Sequence, residues 1–270
     1  MNTVQKIIKY LALALAISII AGIAVGVLQL AGLLVNIDRS EASSEPPIIQ
    51  TIGEDVTALD MDLKGIDLEI RRGTAFTVET DSSSISIKLQ GSKLVIKENN
   101  SWLQKNTGTL WITLPEGFAF HEVEIDAGAG EMKATALTAK ELDLSLGAGK
   151  VTFTDLIVSE KAEIDGGAGS IQIQGGTVQN LDLDMGVGEL NLTAVLTGKN
   201  QIDCGVGKVS LVLIHPETYS IRLDKGIGDA TYCDEPMESG TVYGTGESWV
   251  EIDGGVGSIS VDLAEVGIED

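Results

Sequence analysis

Eleven carboxylates stand at two fixed distances ahead of seven tripeptides in which Ala, Val or Ile lies between two glycines, in this chain of 270 residues. Two residues before the first glycine come Asp126, Asp165, Asp184, Asp203, Asp224 and Asp253, with Ser145 in the remaining copy. Four residues before it come Glu124, Asp143, Glu163, Asp182 and Glu251, with Gln201 and Arg222 completing the set. Carboxylates repeated in this way suggest three chemistries. Their hard oxygens suit Ca²⁺, which makes the aspartates calcium candidates. A pair of acids can flank a glycosidic bond. A broad acidic field can also simply attract a cationic partner.

A second cluster lies at 229–249, where Tyr232, Tyr243 and Trp249 accompany Asp234 and Glu235. Aromatic faces beside acids suit a sugar or a cationic peptide. The competing reading is an end cap over the repeat. Scarcity excludes other classes. Two histidines and two cysteines leave no room for a His-based triad or a Cys-rich zinc module. A net charge of −22 argues against nucleic acid, which needs clustered cations. No motif asks for a cofactor.

The elements that position these residues follow from the repeat. First glycines fall at 128, 147, 167, 186, 205, 226 and 255, so the period is 19 to 21 residues with one longer step of 29. Three positions before each glycine stand Ile125, Leu144, Ile164, Leu183, Ile202, Leu223 and Ile252. Four and six after it come pairs such as Val151/Phe153, Ile171/Ile173 and Leu190/Leu192. Period-two alternation on both sides predicts two half-buried strands, and its change of phase at Gly-x-Gly predicts a corner. The middle residue of the tripeptide is expected to point inside, as is Cys204. A phosphate-cradling reading of these glycines fails, because a strand rather than a helix follows each one. One unit cannot bury its apolar face alone, but stacked units can. The prediction is an all-β, single-stranded parallel β-helix, a β-solenoid with regular rungs over 121–265.

Stacking such rungs about 4.8 Å apart aligns like charges. A bound cation, neighbouring Lys140, Lys161, Lys199 and Arg222, or hydrogen bonds from each corner's own amides would relieve the repulsion. Corner capping is the favoured expectation. Residues 51–120 alternate less regularly and are expected to form irregular first rungs or an opening sheet. Aromatics gather at the ends, with Trp102, Trp111, Phe118 and Phe120 before the repeat and Tyr219, Tyr232, Tyr243 and Trp249 at its close. Cys204 and Cys233 occupy different parts of the coil, so no disulfide is expected. His215 before Pro216 marks a turn.

The first residues are a different material. Residues 10–37 contain no charge, long enough as a helix to span about 30 Å of hydrocarbon. Lys6 and Lys9 precede this run, placing residues 1–9 in the cytoplasm. Its length, and the lack of a close A-x-A site, favour an uncleaved single-pass anchor over a signal peptide. Gly22 and Gly26 form a GxxxG face suited to a homo-oligomer. Residues 38–50, with Pro46 and Pro47, read as a stiff linker. Residues 1–39 carry +2, leaving −24 for residues 40–270, so the exported part alone is acidic.

The run Leu110-Trp111-Ile112-Thr113-Leu114-Pro115-Glu116-Gly117, followed by D-x-G-x-G rungs, resembles a bacterial adhesin-type, toastrack-like β-strand-repeat family over residues 51–265. The resemblance implies a right-handed coil and a cell-envelope protein similar to stress-sensor domains, with no catalytic residues to transfer. The expected function is non-enzymatic: an extracellular, membrane-anchored module for interaction or envelope sensing, with cationic peptides or wall components as partners. The alternative is an adhesin or structural spacer with a passive acidic surface. A polysaccharide-active β-helix enzyme is disfavoured, since no insertion between 121 and 220 is long enough to wall a cleft.

Overall fold

A computed structural model describes residues 48–265, apart from 54 and 100–107. The apolar run 10–37 with Gly22 and Gly26, the linker as far as residue 47, and Trp102 lie outside the described residues. Among the described residues no helix is long and apolar enough to cross a membrane. Helix there amounts to a 3-10 turn at Pro216–Thr218, entered through His215 in the left-handed region.

Strands β1 (Ile48–Thr51), β2 (Ala58–Leu63), β3 (Asp67–Gly73), β4 (Thr77–Thr80), β5 (Ile85–Gln90), β6 (Lys93–Glu98) and β7 (Thr109–Pro115) precede the repeat. The repeat itself is β8 (Phe120–Thr135), β9 (Thr138–Gln179), β10 (Leu181–Thr197) and β11 (Lys199–Ile214). Then come β12 (Tyr219–Tyr232), β13 (Glu235–Pro236), β14 (Val242–Gly244) and β15 (Ser248–Ala264). The long strands run through the Gly-x-Gly corners, and each pairs in parallel with the next coil. Leu183 faces Ile164 and Ile202, and Gly188 faces Gly169 and Gly207. Alternation then does what the pattern predicts. Ile125, Leu144, Ile164, Leu183, Ile202, Ile252 and Leu223 stack in one buried column, opposed by Val151, Phe153, Ile171, Ile173, Leu190 and Leu192. Each such aliphatic contributes on the order of 1.5–3 kcal/mol by burial. One cluster runs from Val56 to Val261.

The corners explain the glycines. At Gly207 φ is +153°, and a Cβ there would collide with the Gly188 carbonyl, standing 2.8 Å from its carbon. The first glycines fail for packing alone: a Cβ on Gly205 would sit 2.6 Å from the Gly186 oxygen. Backbone thus lies on backbone from rung to rung. The middle residue does not turn inside as expected. Ile227 is 53% exposed, and Val187 and Val206 are half-buried. In two of the corners the residue before the first glycine is buried instead, with Met185 4% and Cys204 6% exposed. Cys204 and Cys233 are free thiols, the first buried and the second exposed.

Two departures from a simple coil occur at the ends. The spatial order is β8-β9-β10-β11-β15-β12, so the last repeat inserts between its two predecessors. Likewise β2 and β3 form a regular rung against β8, while β6 and β7 lie outboard of it. Antiparallel pairs close both ends: β1 on β4, β4 on β7 and β5 on β6 at one, β13 and β14 on β12 at the other. Aromatics fill the ends as anticipated. Phe76, Phe118 and Phe120 meet edge to face with centroids 4.8 to 6.0 Å apart. Buried Tyr219 donates its hydroxyl proton to the Ile214 carbonyl (2.7 Å) and accepts from the Leu196 amide (3.1 Å).

Gly207→Ala should destabilise the chain by roughly 3 kcal/mol or more, combining strained backbone with a clash against backbone. Gly117→Ala, also at positive φ but facing open space, should cost about 1–2 kcal/mol. Denaturant unfolding of the two variants compares them, and equal losses would refute the corner packing.

Candidate functional site

Three outward columns cover one face of the coil, six, four and two residues before each first glycine. In the column nearest the corner, Asp165, Asp184, Asp203, Asp253 and Asp224 stand in register on consecutive strands in that order. Insertion of β15 puts Asp253 between Asp203 and Asp224 and leaves the run unbroken. On the other side of Ser145 the column continues through Asp126 to Asp62 of β2. Asp60 likewise extends the next column beside Glu124. These two acids were missed because Lys64-Gly65-Ile66 replaces Gly-x-Gly in that rung.

Among the described residues no corner amide donates directly to these aspartates. At one corner the link is indirect: the Lys225 amide donates to Ser239 Oγ (3.1 Å), whose hydroxyl donates to Asp224 Oδ1 (3.3 Å). Cations carry much of the load. Lys93 bridges Asp60 (3.3 Å) and Glu124 (3.2 Å), and its ammonium pKa is raised chiefly by the bond to Glu124. Arg222 joins Asp224 (2.9 Å) to Glu251 (3.4 Å), and Lys161 pairs with Glu163. The Gln201 amide donates to Asp203 Oδ2 (2.9 Å), while Asp203 Oδ1 is buried with no partner. Burial first, then Asp203 and other neighbouring carboxylates, raise the pKa values of Asp184 and Asp253. Burial and then Glu163 raise that of Asp143.

Beside the aspartates the glycine corners form the floor of open grooves. One of about 570 Å³ includes Asp62, Asp126, Asp165 and Asp184, and another of about 700 Å³ includes Asp203, Asp224, Asp253 and Lys225. Side chains on parallel strands point side by side rather than toward a centre. Among the described residues no group of three or more His, Cys, Asp or Glu is arranged to hold a metal ion.

The aromatic cluster is divided by the sheet. Tyr232 and Tyr243 pack on the end of the core, with ring centroids 5.0 Å apart. Cys233 and Asp234, both left-handed, form the two-residue turn that pairs Tyr232 with Glu235. Asp234 and Glu235 are exposed at that end. Trp249 stands elsewhere: Val250 and Ile252 point into the core, so Trp249 shares the outward face with Glu251.

The family model for Toastrack DUF4097 matches residues 54–242, more than half of the chain. The chain belongs to this family. Among solved structures, this toastrack chain is similar to a candidate cell adhesion protein of Clostridium sporogenes, at 16% identity with a TM-score of 0.37, covering 81% of this chain and 99% of that one. It is also similar to a candidate adhesin of Bacteroides fragilis, at 11% identity with a TM-score of 0.49, covering 82% and 98%. A third, a candidate adhesin of Parabacteroides distasonis, is 13% identical with a TM-score of 0.38, covering 81% and 96%. No curated protein matches the chain.

One buried carboxylate of the toastrack domain escaped sequence reading. Glu98, 3% exposed, accepts the backbone amides of Lys64 (2.6 Å) and Gly65 (3.0 Å) and so holds the corner that lacks Gly-x-Gly. Sequence spacing gives no sign of a partner 34 residues away.

The aspartate ladder sets a pH dependence. Groups with raised folded pKa values bind protons more readily in the folded chain than in the unfolded one. Stability is therefore greatest with them protonated, and it falls as pH rises from the ordinary 3.8 through the raised folded values. Melting temperature measured between about pH 4 and pH 8 should decline on this account. The decline should be smaller in an Asp184→Asn/Asp253→Asn variant; parallel curves would exclude the ladder as its cause.

Proposed function

We propose that this toastrack chain is a non-enzymatic, adhesin-type binding scaffold that presents its acidic face to cationic surfaces outside the cell. The unbroken register of Asp165, Asp184, Asp203, Asp253 and Asp224 carries this reading. Carboxylates at strand spacing create a linear negative field with a range of about 8 Å at physiological salt. A flexible cationic peptide or a positively charged wall polymer can follow such a line without a deep pocket. The apolar run 10–37 would anchor the scaffold in the membrane, with its amino terminus inside.

Adhesion takes precedence over envelope sensing for a physical reason. A sensor requires an element with two arrangements that ligand binding can bias. One hydrophobic cluster links the described rungs from Val56 to Val261 and favours a rigid display. A catalytic reading would require acids converging on a bond, whereas these project side by side.

A labelled oligolysine titrated against the full-length protein tests the proposal. Binding should weaken by roughly tenfold when salt is raised from low to above physiological strength. The Asp165→Asn/Asp184→Asn/Asp203→Asn variant should lose a similar factor at low salt. Absent binding, or binding unchanged by the triple substitution, would leave a passive spacer instead.

A further inference from the structure

Trp249 is out of character with its surroundings. Its column, six residues before each first glycine, holds Glu122, Glu141, Lys161, Asn180, Lys199 and Ser220 in the other repeats. The core does not require an indole there, since Val250 and Ile252 fill the interior positions of the same strand. Its immediate neighbours across the ladder are Lys199 on one side and Ser220 on the other. Among the described residues Trp249 is the one aromatic side chain in the three outward columns.

The indole borders an open groove of about 680 Å³, shared with Lys161, Asp182, Lys199, Gln201 and Glu251. That volume lies within the range of small-molecule sites. Two asparagines stiffen its base. Asn200, 1% exposed, donates its amide to the Trp249 carbonyl (3.0 Å) and accepts the Leu181 amide proton (3.0 Å). Asn180 donates to the Glu160 carbonyl (2.8 Å) and accepts from the Lys199 amide (3.1 Å). The strands bearing Trp249, Lys199 and Asp182 are thus tied together by side-chain amides, so their relative placement requires little ordering when a ligand arrives.

We infer that this groove is a saccharide subsite, in which a pyranose ring lies against the Trp249 indole. A pyranose combines an apolar C–H face with a rim of hydroxyls, which are at once donors and acceptors. The groove offers the matching set: an aromatic face, a lysine donor, carboxylate acceptors and an amide that serves as either. Among the described residues the Lys199 ammonium and the Asp182 carboxylate make no ion pair or hydrogen bond, which leaves both groups to meet hydroxyls. Glu163 raises the pKa of Lys161, and Asp182 is near enough to help. Lys161 and Lys199 make this end of the face unsuited to an oligocation, in contrast to the aspartate column. Charged groups around the indole disfavour an apolar ligand. The inference rests on the scaffold reading above and gives it a second, chemically distinct ligand class.

The test uses the full-length protein, kept in a detergent without a sugar headgroup. Methyl glycosides of a neutral hexose, an N-acetylhexosamine and a hexuronic acid, and short oligomers of each, are titrated while the Trp249 indole N–H resonance is followed. At least one series should shift that resonance, with saturable binding weakened tenfold or more by Trp249→Ala and only partly by Trp249→Phe. Oligolysine binding, measured on the same Trp249→Ala sample, reports that the coil remains folded. If no saccharide moves the indole resonance, or Trp249→Ala binds sugars as the parent does, the subsite is refuted. Retained oligolysine binding in that event would leave the scaffold reading standing, whereas loss of both in the parent protein would overturn both.

Discussion

The close approach of backbone to backbone at the glycine corners is the contact on which the rest of the molecule depends. A Cβ on the second glycine of Gly188, Gly207 or Gly257 would occupy the place of the preceding rung's carbonyl. A repeat can therefore settle on the preceding rung's carbonyls only where it presents glycine to them, which fixes register as well as spacing. A one-residue slip would turn core side chains toward water and bring Cβ atoms into the corner at once. Each column, apolar or acidic, inherits its alignment from that contact.

This alignment creates the electrostatic difficulty as directly as it creates the core. In-register parallel strands put equivalent positions over one another, so an aspartate repeated at one position becomes a column just as an aliphatic does. Several compensations coexist. Arg222 lies between Asp224 and Glu251, Lys93 draws Asp60 and Glu124 together, and Gln201 donates to Asp203. Where such partners do not reach, at Asp143 and Asp184, proton affinity rises instead. The ladder is held despite its mutual repulsion because corner and core confine the backbone. A surface kept in that condition is suited to receive cations, and that is the physical content of the scaffold reading.

What was legible in the sequence was whatever repeats locally. Ile164, Leu183 and Ile202 report the inward face by their spacing, and the seven Gly-x-Gly tripeptides with an aliphatic middle residue report the corner. Strand order was not legible, because the repeats match one another whichever neighbour each selects. The insertion of β15 between β11 and β12 leaves no trace in spacing beyond the longer interval before Gly255. Asp60 and Asp62 were hidden by Lys64, where a side chain replaces the glycine. The corner of that rung depends on Glu98, a tertiary partner that local pattern cannot reveal. Trp249 was grouped with Tyr232 and Tyr243 by proximity along the chain, yet strand alternation places it on the opposite side of the sheet.

The inserted last rung also bears on how a parallel stack can stop. Glycine corners that accept a preceding rung also offer their own carbonyls to a following one, so an unmodified end would invite another copy indefinitely. At each end of this toastrack the chain passes outboard and returns inboard. The outermost strands are consequently the turns of an excursion, free to pair antiparallel with short pieces such as β13 and β14 or β1 and β4. Antiparallel pairing interrupts the parallel register that propagates the stack: β14 covers Ser220–Arg222 and β13 covers Thr231–Tyr232, on either side of the Gly226-Ile227-Gly228 corner. The large apolar side chains exposed near these ends, Ile49 and Leu89 at one and Ile227 and Val242 at the other, accompany this change of pairing. Burying them against a further rung would require the parallel register that the caps remove.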